Sequence, residues 1–189
     1  MSNPGDGHEQ LIDAAEQMEE LFRSHYAAVA AYARRRAPAE SADDVVAETF
    51  LIAWRRLEHI PSESLPWLLG VARNVIGTQR RGALRRHALH LRLRSAAVET
   101  VQQPSVQGPG PVAAALRSLS EKDRETLTLI AWDGLRPIQA AAVVGESPST
   151  FRVRLHRAKR RLRRSLEQHR EQTKSSAACR LEATPKETP

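Results

Sequence analysis

The chain has 189 residues, a formal net charge of +7 and a sequence pI near 10.4. Its length allows one ordinary domain or two small ones, and with 41% apolar but only 4% aromatic residues, two small helical cores fit better than one aromatic-rich core. The basic balance favours an acidic partner such as nucleic acid. The single cysteine, Cys179, excludes an intramolecular disulfide and a cysteine-based zinc site, and suits a reducing compartment. No apolar run approaches the roughly 20 residues of a membrane span. The opening MSNPGDGHEQ lacks the basic-then-apolar order of a secretory signal. A cytoplasmic protein with no membrane partner is expected.

Residues 1–15 are polar and bear Gly and Pro, which predicts a flexible arm. From Glu16 to about Arg36, Leu21, Phe22, Tyr26, Val29 and Ala33 recur at helical spacing, and Pro38 ends that helix. Ser41 followed by Asp43 and Asp44 reads as the capped, acidic start of a second helix. Along DDVVAETFLIAWRRL the stripe Val46, Phe50, Ala53, Trp54 and Leu57 is expected to face the core, with Asp44, Ala47, Glu48, Thr49 and Arg55 elsewhere. HIPSESLP, residues 59–66, is a two-proline loop. The next helix carries Trp67, Leu68, Val71, Ala72, Val75 and Ile76 on one face and Arg73, Asn74, Arg80 and Arg81 on the other. Gly70 and Gly77 on this helix mark close packing or, as the less bland reading, close approach of a ligand, since each costs about 1 kcal/mol against alanine in a helix.

SAAVETVQQPSVQGPGPV has no stripe and concentrates Pro, Gly, Gln and Ser, so residues 93–112 are expected to be a linker between modules at 16–92 and 113–168. A flexible linker of roughly 20 residues spans about 25 Å. After it come a short helix through Leu116 and Leu119, then one capped by Ser120 and stopped at Asp133-Gly134. A third, IQAAAVV, opens at Pro137 and ends at Gly145. A fourth opens at Ser147-Pro148 and runs to about Leu166. Residues 169–189 show no core pattern and read as a disordered tail. The fold class is therefore all-α.

Two short helices joined by a glycine turn, the second strongly basic, fit a helix-turn-helix. In the second, Phe151, Leu155, Ala158 and Leu162 form the inward stripe, while Ser149, Arg152, Val153, His156 and Arg157 cluster opposite. Arginines early on such a helix can pair with guanine in the major groove; Lys159, Arg160, Arg161, Arg163 and Arg164 lie further along, where phosphate contact is the more natural role. A merely solvated basic face is the bland alternative. Against it, like charges four apart destabilise a helix by a few tenths of a kcal/mol each, and no acidic neighbour relieves them before Glu167.

The series DDVVAETFLIAWRRL, PWLLGVARN with a basic stretch, LSEKDRETLTLIAWDGL and VVGESPSTFRVRLHRAKRRL resembles the extracytoplasmic-function (ECF) group of bacterial RNA polymerase sigma factors, across about 150 residues. The resemblance implies a σ2 helical bundle and a σ4 helix-turn-helix. It implies binding to core RNA polymerase through the β′ clamp helices and the β flap, binding to promoter DNA, and control by an anti-sigma factor. Asp44, Glu48 and Thr49 become the candidates for docking on the clamp helices. Loop 59–66, with Ser62 and Glu63, and Asn74 match the pocket that captures a flipped base of the −10 element, for which an amide offers both a donor and an acceptor. Arg73, Arg80, Arg81, Arg85 and Arg86 would follow that strand's phosphates. Ser149, Arg152, Val153, His156, Arg157 and Arg160 fall at the −35-contacting positions.

The chain departs from the family pattern at Ala47, where Gln is common, at the small residues of AAAVVG, and at Glu146 in the turn. One rival is a helix-turn-helix regulator that never engages polymerase; another is a degenerate sigma serving as a regulated interaction protein. An enzyme is disfavoured. There is no phosphate-cradling glycine loop, metal-ligand spacing or nucleophile with a base, and His87 and His90 are isolated, so no catalytic residue, metal or cofactor is expected.

Overall fold

The structure is a computed structural model and describes residues 4–93 and 110–182, with side chains described over 11–86, at Ala88 and over 110–170. All regular secondary structure among these residues is helical: α1 Pro4–Arg36, α2 Ala42–Arg55, α3 Ser64–Leu93, α4 Pro111–Arg117, α5 Glu121–Ala131, α6 Pro137–Val144 and α7 Pro148–Glu182, with 3₁₀ turns at Ala39–Ser41 and Leu57–His59. They form two compact units. The first contains α1, α2, α3 and α6, and the second contains α4, α5 and α7.

In the first unit α1, α2 and α3 pack mutually around Val29, Tyr32, Ala33, Val45, Val46, Phe50, Ala53, Leu68, Leu69, Ala72, Val75 and Ile76, all buried. The Arg36 guanidinium covers the buried Tyr32 ring at 3.8 Å from its centroid. The Arg36 carbonyl, at the end of α1, accepts from Arg80 NH2 at 2.8 Å. Arg80 therefore holds the orphan end of one helix from another. Across the start of α3, His25 Nε2 lies 2.7 Å from Ser64 Oγ.

Helix α6 packs on α3 within this unit. A Cβ built at Gly70 would lie 3.8 Å from the Val143 carbonyl oxygen, so the two backbones approach closely at that glycine. The buried side chains of α6 are small, Ala140, Ala141 and Val143. A Schellman closure ends the helix: Gly145 takes φ 71°. Gly145 N–H donates to Ala142 O and Glu146 N–H donates to Ala141 O. Leu135–Pro148, which lies inside the 113–168 stretch expected to form the C-terminal module, packs with the first compact unit. Short side chains on α6 and a glycine on α3 favour that closeness.

In the second unit Ser120 caps α5, its Oγ accepting from Asp123 N–H at 3.2 Å. Arg124 closes α4 by donating to the carbonyls of Leu116, Arg117 and Leu119. Phe151, Leu155 and Ala158 of α7 are buried. Further along, buried Ser165 shares a 2.7 Å hydroxyl pair with Ser118. The almost fully buried Asp123 carboxylate accepts from Arg161 NH1 at 2.5 Å.

Both segments read as unstructured enter helices. Most of the 1–15 arm lies in α1, and residues 169–182 of the tail continue α7. No Gly or Pro interrupts α7 between Pro148 and Glu182, and strong helix formers such as Ala, Gln, Glu and Arg dominate its end. Pro4 stands at the first helical position of α1. Further along α1, Arg23 pairs with Glu19 at 2.5 Å and with Glu20 at 3.0 Å. The interior of the 93–112 linker and the last residues of the tail lie outside the described residues. Ser41 precedes α2 without capping it, its hydroxyl instead donating to Pro38 O at 3.2 Å.

Burial lowers the pKa of His25 below its ordinary 6.5, with Glu20 opposing that shift. A base whose folded pKa is depressed stabilises the fold above its ordinary pKa and loses that contribution as pH falls through the folded value. Thermal melting of the full chain should therefore weaken between pH 7 and pH 5, and His25→Gln should remove part of that dependence. An identical pH profile in the variant would rule His25 out as a contributor.

Candidate functional site

The chemistry-bearing residues fall on three surfaces. On α2 the buried stripe is Ala42, Val45, Val46, Thr49, Phe50 and Ala53. It is rotated from the stripe expected at sequence level. Thr49 has no exposed surface and donates its hydroxyl to Val45 O at 2.6 Å. A buried hydroxyl satisfied by the carbonyl one turn back fits an apolar interface. Thr49 is thus withdrawn from the docking candidates. Trp54, expected in the core, is 45% exposed, and Leu51 is 49% exposed.

Positions 44, 47, 48, 51, 54 and 55 follow one another at helical spacing and are all exposed. This face sets Leu51 and Trp54 beside Asp44, Glu48 and Arg55, with the short Ala47 between. Sequence reading placed Trp54 in the core because it is a large apolar residue on the Val46–Phe50–Ala53 stripe, and it gave Leu51 no role. The signal lay in the small residues: Ala42, Val45, Thr49 and Ala53 form a stripe narrow enough to pack helices closely.

The second surface is loop 59–66 with the following helix. Ser62 is exposed, as is Asn74 on α3, while Arg73 is half-buried. Arg81 is exposed and donates to Thr78 Oγ1 at 3.1 Å; Arg85 and Arg86 are exposed as well. Arg80 is half-buried and engaged with the end of α1. Its guanidinium has a structural bond that the sequence did not announce. Glu63 is exposed yet held within the same unit. It accepts from Arg136 NH2 at 2.5 Å and from Gln139 Nε2 at 3.0 Å, both on the first turn of α6 or its cap. Gln139 Oε1 in turn accepts from Arg136 N–H at 2.9 Å, half of a capping box.

On α7, in the second unit, Ser149, Arg152, Val153, His156, Arg157 and Arg160 are all exposed, and they follow one another at alternating spacings of three and one. Phe151, Leu155 and Ala158 on the opposite side are buried, and Leu162 is half-buried. Val153 is an apolar side chain open to solvent within a basic face. This arrangement can meet a polyanion with charge, hydroxyl, imidazole and methyl groups along one line. Among the described residues no group of three or more His, Cys, Asp or Glu is placed to hold a metal ion. No described helix is long and apolar enough to cross a membrane.

An exposed acidic-apolar helix face, a loop followed by an Asn- and Arg-bearing helix, and an exposed basic helix face are the surfaces expected of a two-region promoter-recognition protein. Residues 21–88 match the family model described as Sigma-70 region 2, and residues 110–162 match Sigma-70, region 4. The chain is 34% identical over 158 residues to the ECF RNA polymerase sigma factor SigL of Mycobacterium tuberculosis, covering 80% of this chain and 89% of that one. It is 29% identical over 175 residues to the ECF sigma factor SigE of Mycolicibacterium smegmatis, covering 84% of this chain and 65% of the relative. Among solved structures, CnrH in complex with the cytosolic domain of CnrY is similar with a TM-score of 0.57 and 26% identity, covering 82% of this chain and 96% of that one. The Bartonella quintana sigma factor RpoE in complex with the anti-sigma factor NepR shares the fold, with a TM-score of 0.56 and 24% identity over 79% of this chain and 96% of that one. The chain belongs to the ECF group of sigma-70 factors, and it binds core RNA polymerase to direct promoter-specific transcription initiation. A helix-turn-helix regulator without polymerase is not favoured, since it would have no use for region 2.

The rotated stripe of α2 makes a direct prediction. Phe50→Ala, which empties a buried site against Phe22, whose ring centroid is 4.8 Å away, should cost about 3 kcal/mol of stability. Trp54→Ala should cost less than about 1 kcal/mol. Denaturant melts of the two variants check this, and equal losses would return Trp54 to the core.

Proposed function

We propose that the chain docks on core polymerase through the exposed face of α2, holds the melted −10 strand with loop 59–66 and Asn74, and reads the −35 element with the first turns of α7. The observation that carries this reading is the α7 face: six residues at helical spacing, all exposed, opposite a buried apolar stripe. Leu51 and Trp54 support the polymerase contact. A tryptophan open to solvent and ringed by polar groups is the usual make-up of an interface anchor. Asp44 and Glu48 supply charge that suits a basic partner.

Asn74 offers a base edge both a donor and an acceptor, and Arg73, Arg81, Arg85 and Arg86 supply cations for the strand's phosphates. Arg80 stands apart, because its bond to α1 gives it a structural role first. On α7, Ser149, Arg152, Val153, His156 and Arg157 contact bases or the flanking backbone, and Arg160 takes phosphate. An anti-sigma protein is the natural regulator, and the similar RpoE has its structure in complex with one, NepR. The setting is the cytoplasm, with the polymerase, and the chain has no catalytic role of its own.

The test is in vitro transcription with purified bacterial core polymerase on a promoter library. Core-dependent initiation from a defined subset is expected, and no initiation on any template would sink the reading. Within that assay Asn74→Ala should lower promoter opening about tenfold while leaving core affinity nearly unchanged, the scale of a lost base contact. Equal losses in opening and core binding would remove Asn74 from the base pocket.

A further inference from the structure

In the second unit a groove of about 540 Å³ lies between the start of α5 and α7, lined among others by Lys122, Ser149, Thr150, Arg154, Arg157 and Arg161. Four cations converging on one space repel one another, an arrangement that a multiply charged anion would relieve. The only carboxylate in the lining is Asp123. Its side chain is 5% exposed and accepts from Arg161 NH1 at 2.5 Å, while the Arg161 side chain remains 57% exposed. Ser120 Oγ accepts from the backbone N–H of Asp123, at the first turn of α5.

A guanidinium has five N–H donors in a rigid fork. Arg161 is anchored to Asp123 through one of its nitrogens and is exposed enough to present its other edge to the groove. An arginine ordered beforehand loses less freedom when a ligand arrives. In the run from Lys159 to Arg164, Arg161 is the residue seen paired with a buried carboxylate among the described contacts. A phosphate diester suits such a fork through paired charge-assisted hydrogen bonds, with the Ser149 and Thr150 hydroxyls in the same lining.

We infer that this groove seats a backbone phosphate of the promoter duplex, and that Asp123 is a positioning residue that orients Arg161 toward it. The inference rests on the reading of α7 as the −35-contacting helix. Arg161 thereby fixes how the reading face sits on the duplex without itself carrying sequence preference.

The experiment uses holoenzyme, formed from the full chain and core polymerase, on a promoter duplex that the wild-type holoenzyme selects from a random library. Affinity is measured across a salt series. Arg161→Ala should flatten the slope of log affinity against log salt by about 0.9, the loss of one phosphate contact. Asp123→Asn separates positioning from simple charge. Removing a carboxylate from a basic groove raises DNA affinity on charge alone, whereas losing the orientation of Arg161 lowers it.

A fall of about threefold or more is expected for Asp123→Asn, with little further fall when it is added to Arg161→Ala, as for two residues acting through one contact. Partial unfolding would reduce affinity alike at every salt and leave the slope intact. An unchanged slope for Arg161→Ala overturns the inference, and so does an Asp123→Asn holoenzyme that binds as tightly as wild type or more tightly. Capture of an acidic peptide in place of duplex would show as that unchanged slope. A wild-type holoenzyme whose selected sequences carry no preference upstream of −10 would instead overturn the reading of α7, so the two failures are distinct.

Discussion

Close approach between helices, made through alanine, valine and glycine, is the contact on which the rest of this structure depends. With aromatics at 4% of the chain, few rings are available to fill the space between the helices. Ala30, Ala33, Ala53 and Ala72 in the first unit and Ala115 and Ala158 in the second are buried where many helical proteins place Leu or Phe. Dispersion falls steeply with separation, so small residues stabilise a core when backbones come near enough for their atoms to touch. The same economy releases larger side chains to the surface: Trp54, Trp132, Leu51 and Val153 are all open to solvent. In a protein whose work is binding, that is a useful division.

Charge is divided in a similar way. Some arginines serve the fold, as Arg80 does at the end of α1 and Arg124 at the end of α4, where each donates to carbonyls that a helix terminus leaves without partners. Others stand on the exposed face of α7, at positions 152, 157 and 160. A formal charge of +7 therefore measures neither solubility nor DNA contact alone. The residue type is shared, and its carbonyl or carboxylate neighbours set the role.

Much of this was legible in the sequence. Helical periodicity gave the all-α class, and Phe151, Leu155 and Ala158 followed from spacing alone because a two-sided helix rich in arginine leaves one apolar stripe to bury. Ser120 was readable as a cap, and Gly145 as a left-handed stop, because each needs a particular local chemistry. The phase of α2 was not. Its sequence offers two overlapping stripes, and hydrophobicity prefers the one with Trp54, whereas packing distance selects the one with Thr49. That choice is made by α1 and α3, through contacts that local spacing does not encode. The pairing of Asp123 with Arg161, 38 positions apart, was equally out of reach. So was the hold of Arg136 and Gln139 on Glu63, since periodicity says which side of a helix is buried but not which charged ends meet. The outer extensions of α1 and α7 escaped notice for a different reason: a segment can be helical by propensity with no apolar stripe to advertise it.

The small residues of AAAVVG, a departure from the family pattern, have a physical account in packing. Helix α6 lies against α3 at Gly70, where a Cβ would already reach ordinary van der Waals contact with the backbone of Val143. Ala140 and Ala141 are fully buried, so larger side chains there would overpack the site. Glu146 occupies the position after the left-handed glycine, where its backbone N–H donates the closing bond to Ala141 O. What reads as degeneracy against the family pattern is, in this chain, the consequence of packing a short helix on a glycine. The exposed face of α7 begins three residues later, at Ser149.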